Sequence, residues 1–471
     1  MNYALVIHVA GEEKYYEIMK VHLIAIGGSA MHNMAIALQQ KGFDVTGSDD
    51  EIFEPSKSRL AARGLLPERE GWFTANIHQN LDAVIVGMHA RADNPELLKA
   101  KELGLKIFSY PEYIFEQSRD KIRIVIGGSH GKTSTTAMIL HVMKECGLQY
   151  DYLVGAQLEG FDCMVKFSSD ARYTVIEGDE YLSSPIDRRP KFHLYNPHIA
   201  VITGIAWDHI NVFPTFENYT EQFSIFIDKI ESGGTLVYCE KDEVLDALIR
   251  NHSASVVRIP YDTHEHEIKN GTTYLKTNMG NIPIQIFGDH NLQNLNAALK
   301  VCTTIGIAQA DFYHAIASFK GAARRLELVN STSNHSVYKD FAHSPSKLKA
   351  TTDALQKQYP NRQLIACMEL HTFSSLNANF LQEYNGAMAK ADEAFVYFNP
   401  HTIEHKKLNP ISTDQVASSF GGSNVRVFTS SSELREVLTK RSWENANLLL
   451  MTSGNFDGID FSELASNIEP K

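Results

Sequence analysis

The stretch Ile122-Arg123-Ile124-Val125-Ile126-Gly127-Gly128-Ser129-His130-Gly131-Lys132-Thr133-Ser134-Thr135-Thr136 decides the architecture of this 471-residue chain. Ile122 to Ile126 is an apolar run of the length and composition of a buried parallel strand. Glycines break it, and Thr133 to Cys146 reads as a helix. Strand, glycine-rich turn and helix in that order make a phosphate cradle. Glycines let backbone N–H groups converge on phosphate oxygens, and the helix N-terminus adds positive potential. Lys132 is placed to reach the β- and γ-phosphates of a nucleotide, and the Thr133 hydroxyl to ligate Mg²⁺. The spacing is not the common eight-residue form, because Ile126 stands where its first glycine would fall. The bland alternative is a turn with an incidental lysine; the flanking strand and helix weigh against it.

Downstream of that loop, Tyr173 to Ile176 reads as a strand ending in Glu177-Gly178-Asp179-Glu180-Tyr181, where a carboxylate beside the phosphate loop is placed to give Mg²⁺ an oxygen. Ala200 to Thr203 is a further strand, leading to Trp207-Asp208-His209. Alone, an acidic strand end is usually a solvated turn and a single histidine a satisfied one; their order after the phosphate loop changes that weighting. Residues 233–285 are richer in short β-like runs, and a helix near Asn291 to Ile305 closes this unit.

The same alternation extends in both directions. Val21 to Ile26 is an apolar strand closed by Gly27-Gly28 and followed by a helix from Ala30 to Lys41; strands at Val45 to Gly47, Leu81 to Gly87 and Lys106 to Ser109 follow, with a helix at Pro95 to Leu103. Beyond Arg325, strands are expected at Ser336–Lys339, Gln363–Cys367, Ala394–Phe398, Val425–Phe428 and Asn447–Met451, separated by helix-length segments. The expected fold is α/β in three domains: an N-terminal Rossmann-like domain, a central parallel sheet of the P-loop ATPase kind, and a C-terminal Rossmann-like domain. The limits read as 1–18 for an extension, with Met19 resembling a natural start, then 19–117, 118–321 and 322–471.

With 44 basic and 56 acidic residues the formal charge is −12, which argues against a nucleic-acid partner held by bulk charge. There is no run of about 18 apolar residues. Tyr3 to Ala10 is apolar but lacks a preceding basic residue, a poor signal peptide. The five cysteines are scattered, odd in number and without metal-ligand spacing, as expected of free thiols in a reducing cytoplasm. A dinucleotide dehydrogenase is disfavoured, because neither Ser29 nor His32 supplies the glycines of G-x-G-x-x-G.

Taken together, the motifs resemble the Mur ligase family over about residues 20–465. The resemblance rests, in family order, on Gly128-Ser129-His130-Gly131-Lys132-Thr133, Glu177 to Tyr181, Asp208-His209, Gly288-Asp289-His290-Asn291-Leu292-Gln293-Asn294, Arg324-Arg325-Leu326-Glu327 and Asp340-Phe341-Ala342-His343-Ser344-Pro345. It implies an ATP-dependent carbon–nitrogen ligase acting on UDP-N-acetylmuramate in peptidoglycan assembly, with ATP and Mg²⁺. Lys132 would neutralise the γ-phosphate, Thr133 and Glu177 would hold Mg²⁺, and His209 would help at a second ion. Gly128 to Ser134 would form the phosphate loop. His290, Asn291 and Asn294 would line the adenine side, with Arg325 near the phosphates, Asp340 at the ribose and His343 beside them. Gly27-Gly28-Ser29-Ala30-Met31 resembles the family's UDP-diphosphate loop, and Ser48-Asp49 its uridine contact. The full site would assemble when the third domain closes on the second, and Gly321 to Arg324 would be the hinge.

Two subgroups begin with such a UDP-muramate domain. One adds L-alanine; the other rejoins a recycled L-Ala-γ-D-Glu-meso-diaminopimelate tripeptide. Tyr181, the segment Asp187 to Tyr195 and Ser453 to Ile459 resemble the tripeptide subgroup. The family usually has Asn and Glu where this chain has Gly204 and Ala206, and Ser344 replaces a common second His. Glu369-Leu370-His371-Thr372-Phe373-Ser374 departs from the usual segment where the amine substrate should bind. The tripeptide ligase is therefore the first reading, the L-alanine ligase the second, and a non-catalytic nucleotide-sugar binding protein the third.

Overall fold

The computed structural model describes the chain except residues 1–3, 10–11, 156–159, 185, 208–211, 323–324, 422–423 and 469–471, with the backbone alone for 4–9 and 12–17. Asp208, His209 and Arg324, named above, lie outside the described residues. The chain divides into two compact units, residues 1–261 with 300–306, and residues 262–299 with 307–471.

In the first unit, β1 (Ala4–Val9) and β2 (Glu12–Glu17) pair as an antiparallel two-stranded sheet of their own. The strands β3 (Lys20–Ile24), β4 (Asp44–Ser48), β5 (Ala83–Val86) and β6 (Ile107–Ser109) form a parallel sheet in the order β4-β3-β5-β6. The order reverses between β3 and β5, so their following loops diverge and leave a crevice at the carboxyl edge of the sheet. The first loop holds Gly27-Gly28 and enters the helix Ser29–Gln40, whose Met34, Ala35 and Leu38 are fully buried.

The second sheet of this unit has seven strands: β7 (Ile122–Gly127), β8 (Tyr150–Leu153), β9 (Val165–Lys166), β10 (Tyr173–Glu177), β11 (Ile199–Ile202), β12 (Thr235–Cys239) and β13 (Val257–Tyr261). Their order is β13-β12-β11-β7-β10-β8-β9, parallel except for β8 with β9. The central strands are apolar on both faces because helices cover both; Ile124, Val125, Ile126, Val175, Ile176, Val201 and Ile202 are fully buried. The phosphate-loop strand β7 thus lies between the strand carrying Glu177 and the strand leading to Gly204, with Glu177 level with Ile126 and Ile202 level with Gly127.

In the second unit, β14 (His266–Lys269), β15 (Thr272–Thr277) and β16 (Gly280–Ile284) form an antiparallel meander. The strands β17 (Glu327–Ser331), β18 (His335–Asp340), β19 (Gln363–Leu370), β20 (Glu393–Phe398), β21 (Val425–Phe428) and β22 (Ala446–Met451) form a sheet in the order β17-β18-β22-β19-β20-β21, with only β17 antiparallel. Asp340 ends β18 level with Met451 of β22, at the carboxyl edge of this sheet. The three expected α/β sheets are present, and no helix among the described residues is long and apolar enough to cross a membrane.

Candidate functional site

The phosphate loop owes its shape to two glycines with left-handed backbone, Gly128 at φ +124° and Gly131 at φ +80°. A Cβ on Gly128 would stand 2.7 Å from the backbone nitrogen of Thr203, so no other residue fits. The Ser129 N–H donates to the Gly204 carbonyl (3.0 Å), the Ala206 N–H donates to Ser129 Oγ (2.8 Å), and the Thr203 hydroxyl donates to the His130 carbonyl. The helix Lys132–Glu145 starts at once, with Thr133 and Ser134 buried in its first turn. Lys132 Nζ turns back to donate to the Gly128 carbonyl (2.6 Å) and to Glu180 Oε2 (2.7 Å). Burial alone would lower its pKa, but the carboxylates of Glu180, Asp179 and Glu177 outweigh that and raise it, so the side chain is a cation.

Glu177 sits at the tip of β10, where one carboxylate oxygen accepts from the Thr133 hydroxyl (2.8 Å) and the other from the Gly155 N–H (2.9 Å). Two oxygen donors held together beside a phosphate cradle suit Mg²⁺, which takes one or two protein oxygens and completes its shell with phosphates and water. Among the described residues no group of three His, Cys, Asp or Glu could hold a metal by itself. The segment Asp187 to Tyr195 folds back onto the acidic motif: Lys191 Nζ donates to Asp179 Oδ2 (2.6 Å) and lies 6.0 Å from the Tyr181 ring, and the Phe192 N–H donates to the Asp179 carbonyl (3.2 Å). Phe192 anchors this return by stacking on Phe226 at 4.6 Å.

At the four-stranded sheet, the Gly27 N–H donates to Asp49 Oδ2 (2.7 Å), and a Cβ on Gly27 would come within 2.8 Å of that oxygen. Burial raises the Asp49 carboxyl to about 6; the Gly27 N–H opposes this and Asp50 adds to it. Ser29 and Ala30, at the start of the helix Ser29–Gln40, are exposed, and Met31 is buried. Backbone N–H groups at an exposed helix start suit an anion such as a diphosphate. Ser48 is fully buried, and its hydroxyl donates to Glu96, which also faces His22 Nε2 at 3.3 Å.

The second unit gathers the other expected site residues. Gly288 (φ +89°) leads into the helix Asp289–Thr304; Asn291 and Asn294 are buried in its first turns, and Asn291 Nδ2 donates to the Phe287 carbonyl (2.9 Å). Burial lowers His290 to about 4, with Asp289 opposing and Arg325 adding to the shift, so this ring is neutral at pH 7. Arg325 lies over the Phe341 ring at 4.9 Å. Asp340 accepts the Leu326 and Ala342 N–H groups, both at 2.6 Å; burial pushes its carboxyl up, while Arg325 and those two N–H groups hold it back. His343 Nδ1 faces the Phe341 carbonyl at 2.8 Å. The Glu369 carboxylate, buried at the end of β19, accepts from the Thr452 hydroxyl and from the Phe456 N–H (2.9 Å), tying the loop after β22 to the loop carrying His371.

Glu180, Gly155 and Tyr219 were not singled out from sequence. Glu180 lies inside the acidic motif three residues after Glu177, which is the signal for it; Tyr219 carries no local signal, since its place is set by the packing of its helix.

A phosphate cradle with a carboxylate-bearing neighbour strand, in a chain that also carries two further α/β sheets, is what a nucleotide-dependent ligase requires. Residues 20–121 match the model described as Mur ligase family, catalytic domain; residues 126–302 match the Mur ligase middle domain; residues 324–454 match Mur ligase, glutamate ligase domain. The UDP-N-acetylmuramate–L-alanine ligase of Clostridium kluyveri is 30% identical over 386 residues, 79% of this chain and 82% of that protein. The UDP-N-acetylmuramate–L-alanyl-gamma-D-glutamyl-meso-2,6-diaminoheptandioate ligase of Haemophilus influenzae is 26% identical over 451 residues, 93% of this chain and 97% of that protein. Two solved structures share the fold: a murein peptide ligase of Psychrobacter arcticus (TM-score 0.62, 22% identity, covering 96% of this chain and 98% of that one) and the UDP-N-acetylmuramate–alanine ligase of Thermotoga maritima (0.66, 21%, 93% and 96%). The chain belongs to the Mur ligase family, whose members are ATP-dependent amide-bond ligases.

Proposed function

We propose that the chain joins L-Ala-γ-D-Glu-meso-diaminopimelate to UDP-N-acetylmuramate with ATP and Mg²⁺, as a cytoplasmic enzyme of peptidoglycan recycling. The observation that carries the substrate choice is the return of the segment Asp187 to Tyr195 onto the acidic motif, with Lys191 bridging Asp179 and the Tyr181 ring. Tyr181 and that segment are the features resembling the tripeptide subgroup, and their mutual packing makes them one unit.

The proposed domains are 19–117 for the UDP-sugar, 118–321 for ATP and Mg²⁺, and 322–471 for closure and the amine substrate; the ranges of the three family models support this division. Gly27 to Met31 and Ser48-Asp49 hold the UDP moiety. The buried Ser48 hydroxyl is engaged by Glu96, and the Asp49 carboxylate by the Gly27 and Asp50 N–H groups. Thr133 and Glu177 hold Mg²⁺, joined at a second ion by His209. His290, Asn291, Asn294, Arg325, Asp340 and His343 are the proposed contacts for the adenosine and phosphates.

The lactyl carboxylate attacks the γ-phosphorus and ADP leaves, giving an acyl phosphate. The peptide amine then attacks the acyl carbon and phosphate leaves. Such a transfer needs positioning and neutralised charge more than a protein nucleophile. Lys132 supplies the charge by exchanging Glu180 for the phosphates.

L-alanine as the amine is the second reading, favoured by the Clostridium kluyveri relative, which carries that name at 30% identity. One assay separates the readings: UDP-N-acetylmuramate, ATP and Mg²⁺ with either amine, measuring phosphate release. Release with the tripeptide is expected. Release with L-alanine alone would reverse the order, and none with either, despite bound UDP-sugar, would point to a binding protein.

A further inference from the structure

Tyr219, on the helix Phe216–Asp228, is fully buried, with its ring packed edge-on to Phe223 (5.3 Å) and tilted against Phe213 (5.4 Å). That packing aims its hydroxyl between two parts of the nucleotide site. It donates to Glu180 Oε1 at 3.2 Å and lies 2.8 Å from Ser129 Oγ. A hydroxyl has one proton. Since Tyr219 gives its proton to the carboxylate, Ser129 must be the donor in the second bond. Ser129 Oγ in turn accepts the Ala206 N–H. The chain of donation runs Ala206 N–H, Ser129 O–H, Tyr219 O–H, Glu180, and it meets Lys132 arriving at the other Glu180 oxygen.

We propose that Tyr219 is a positioning residue for nucleotide binding: its hydroxyl, held in place by Ser129, keeps the buried Glu180 carboxylate bonded when Lys132 leaves it for the nucleotide phosphates. The inference rests on the reading of Lys132 as the phosphate-binding lysine. Glu180 is 1% exposed, and a buried carboxylate that loses its cation is costly unless other donors remain. With nucleotide absent, Lys132 compensates that charge whether or not Tyr219 helps. With nucleotide bound the compensation passes to other donors, Tyr219 among them. Removing the hydroxyl therefore penalises the bound state more than the free one and weakens nucleotide binding.

The test uses the full chain and Mg·ATP, with Kd measured by calorimetry for the unsubstituted protein, Tyr219→Phe, Glu180→Gln and the double variant. Tyr219→Phe keeps the ring and its packing, so its melting temperature is expected to stay within about 2 °C while Kd rises about tenfold, or about 1.4 kcal/mol. In the Glu180→Gln background, where no charge needs the donor, the same substitution is expected to cost less than about threefold. An unchanged Kd for Tyr219→Phe, or a tenfold loss that persists beside Glu180→Gln, would overturn the proposal. So would a large loss of stability without loss of affinity, which would make the hydroxyl merely structural. Failure of the unsubstituted protein to bind Mg·ATP is a separate outcome, and it would overturn the nucleotide reading and this inference together.

Discussion

Replacing Lys132 by alanine removes the lysine that the proposed function assigns to the nucleotide phosphates, a cation at the first residue of the helix that follows the glycine loop. A unit charge about 4 Å from a phosphoryl oxygen contributes about 4 kcal/mol at an effective dielectric constant of about 20. That corresponds to a loss of about 10³ in kcat, in the range seen when one preorganised donor to a developing charge is deleted. Stability should suffer less. Lys132 donates to one oxygen of Glu180, and Tyr219 still donates to the other oxygen of that carboxylate. A penalty of about 1–3 kcal/mol is expected, at or below the usual cost of halving a buried ion pair. The assay is phosphate release with UDP-N-acetylmuramate, ATP and each amine, beside direct binding of UDP-N-acetylmuramate. Ligation should fall below about 1% of its original rate, with UDP-sugar affinity unchanged because Gly27 and Asp49 belong to a different sheet. Ligation retained within tenfold would refute the assignment of Lys132. Loss of UDP-sugar binding as well would refute the separation of the two sites.

Gly204→Asn, which installs the family's usual residue, should destabilise by about 1–3 kcal/mol in a thermal melt, because Gly204 has φ +143° and a Cβ there would lie 3.0 Å from Asp242 Oδ2, the oxygen that accepts the Ile205 N–H; equal or higher stability would show that Asp242 does not lock this loop. Asp49 titrates near 6 when folded and near 3.8 otherwise, so the folded chain holds the extra proton between those values and stability should fall as pH rises from about 4 to about 6. Asp49→Asn should flatten that limb of the melting-temperature profile, and an unaltered profile would contradict the buried-carboxyl account. His290 shifts the opposite way: its folded value near 4 lies below the ordinary 6.5, so stability is lost as pH falls through that interval. Its ring proton resonances should stay those of neutral imidazole at pH 5; a midpoint near 6.5 would show that the ring is solvated.

The α/β alternation was legible because every central strand is a short apolar run bounded by glycine or polar residues, a pattern that buried parallel strands impose. The strand expected at Val21 to Ile26 is observed at Lys20–Ile24, and the helix expected at Ala30 to Lys41 at Ser29–Gln40. Strands away from the sheet centre were harder: Val257–Tyr261, the edge strand β13, is exposed along most of its length, and Tyr150–Leu153, one strand in from the other edge, is a four-residue run interrupted by Asp151. For the candidate site, the positions of Lys132, Thr133 and Glu177 on the helix start and the strand tip were legible because backbone geometry ties each to a neighbouring glycine turn or strand end. Ser48 matched its motif, yet its hydroxyl turned out to be bonded to Glu96, a partner from a distant helix.

Local chemistry in the chain thus settled which segments become strands and helices, where the phosphate cradle lies and which family it belongs to, because these depend on periodicity, on glycine's access to positive φ and on contiguous motifs. Tertiary packing decided what each side chain bonds to. It brought Glu180 to Lys132, Gly155 to Glu177, Tyr219 to Ser129 and Asp242 to the loop at Gly204. These contacts join residues 22 to 90 positions apart. Strand order and the packing of buried rings set them, and neither is written in any single stretch of sequence.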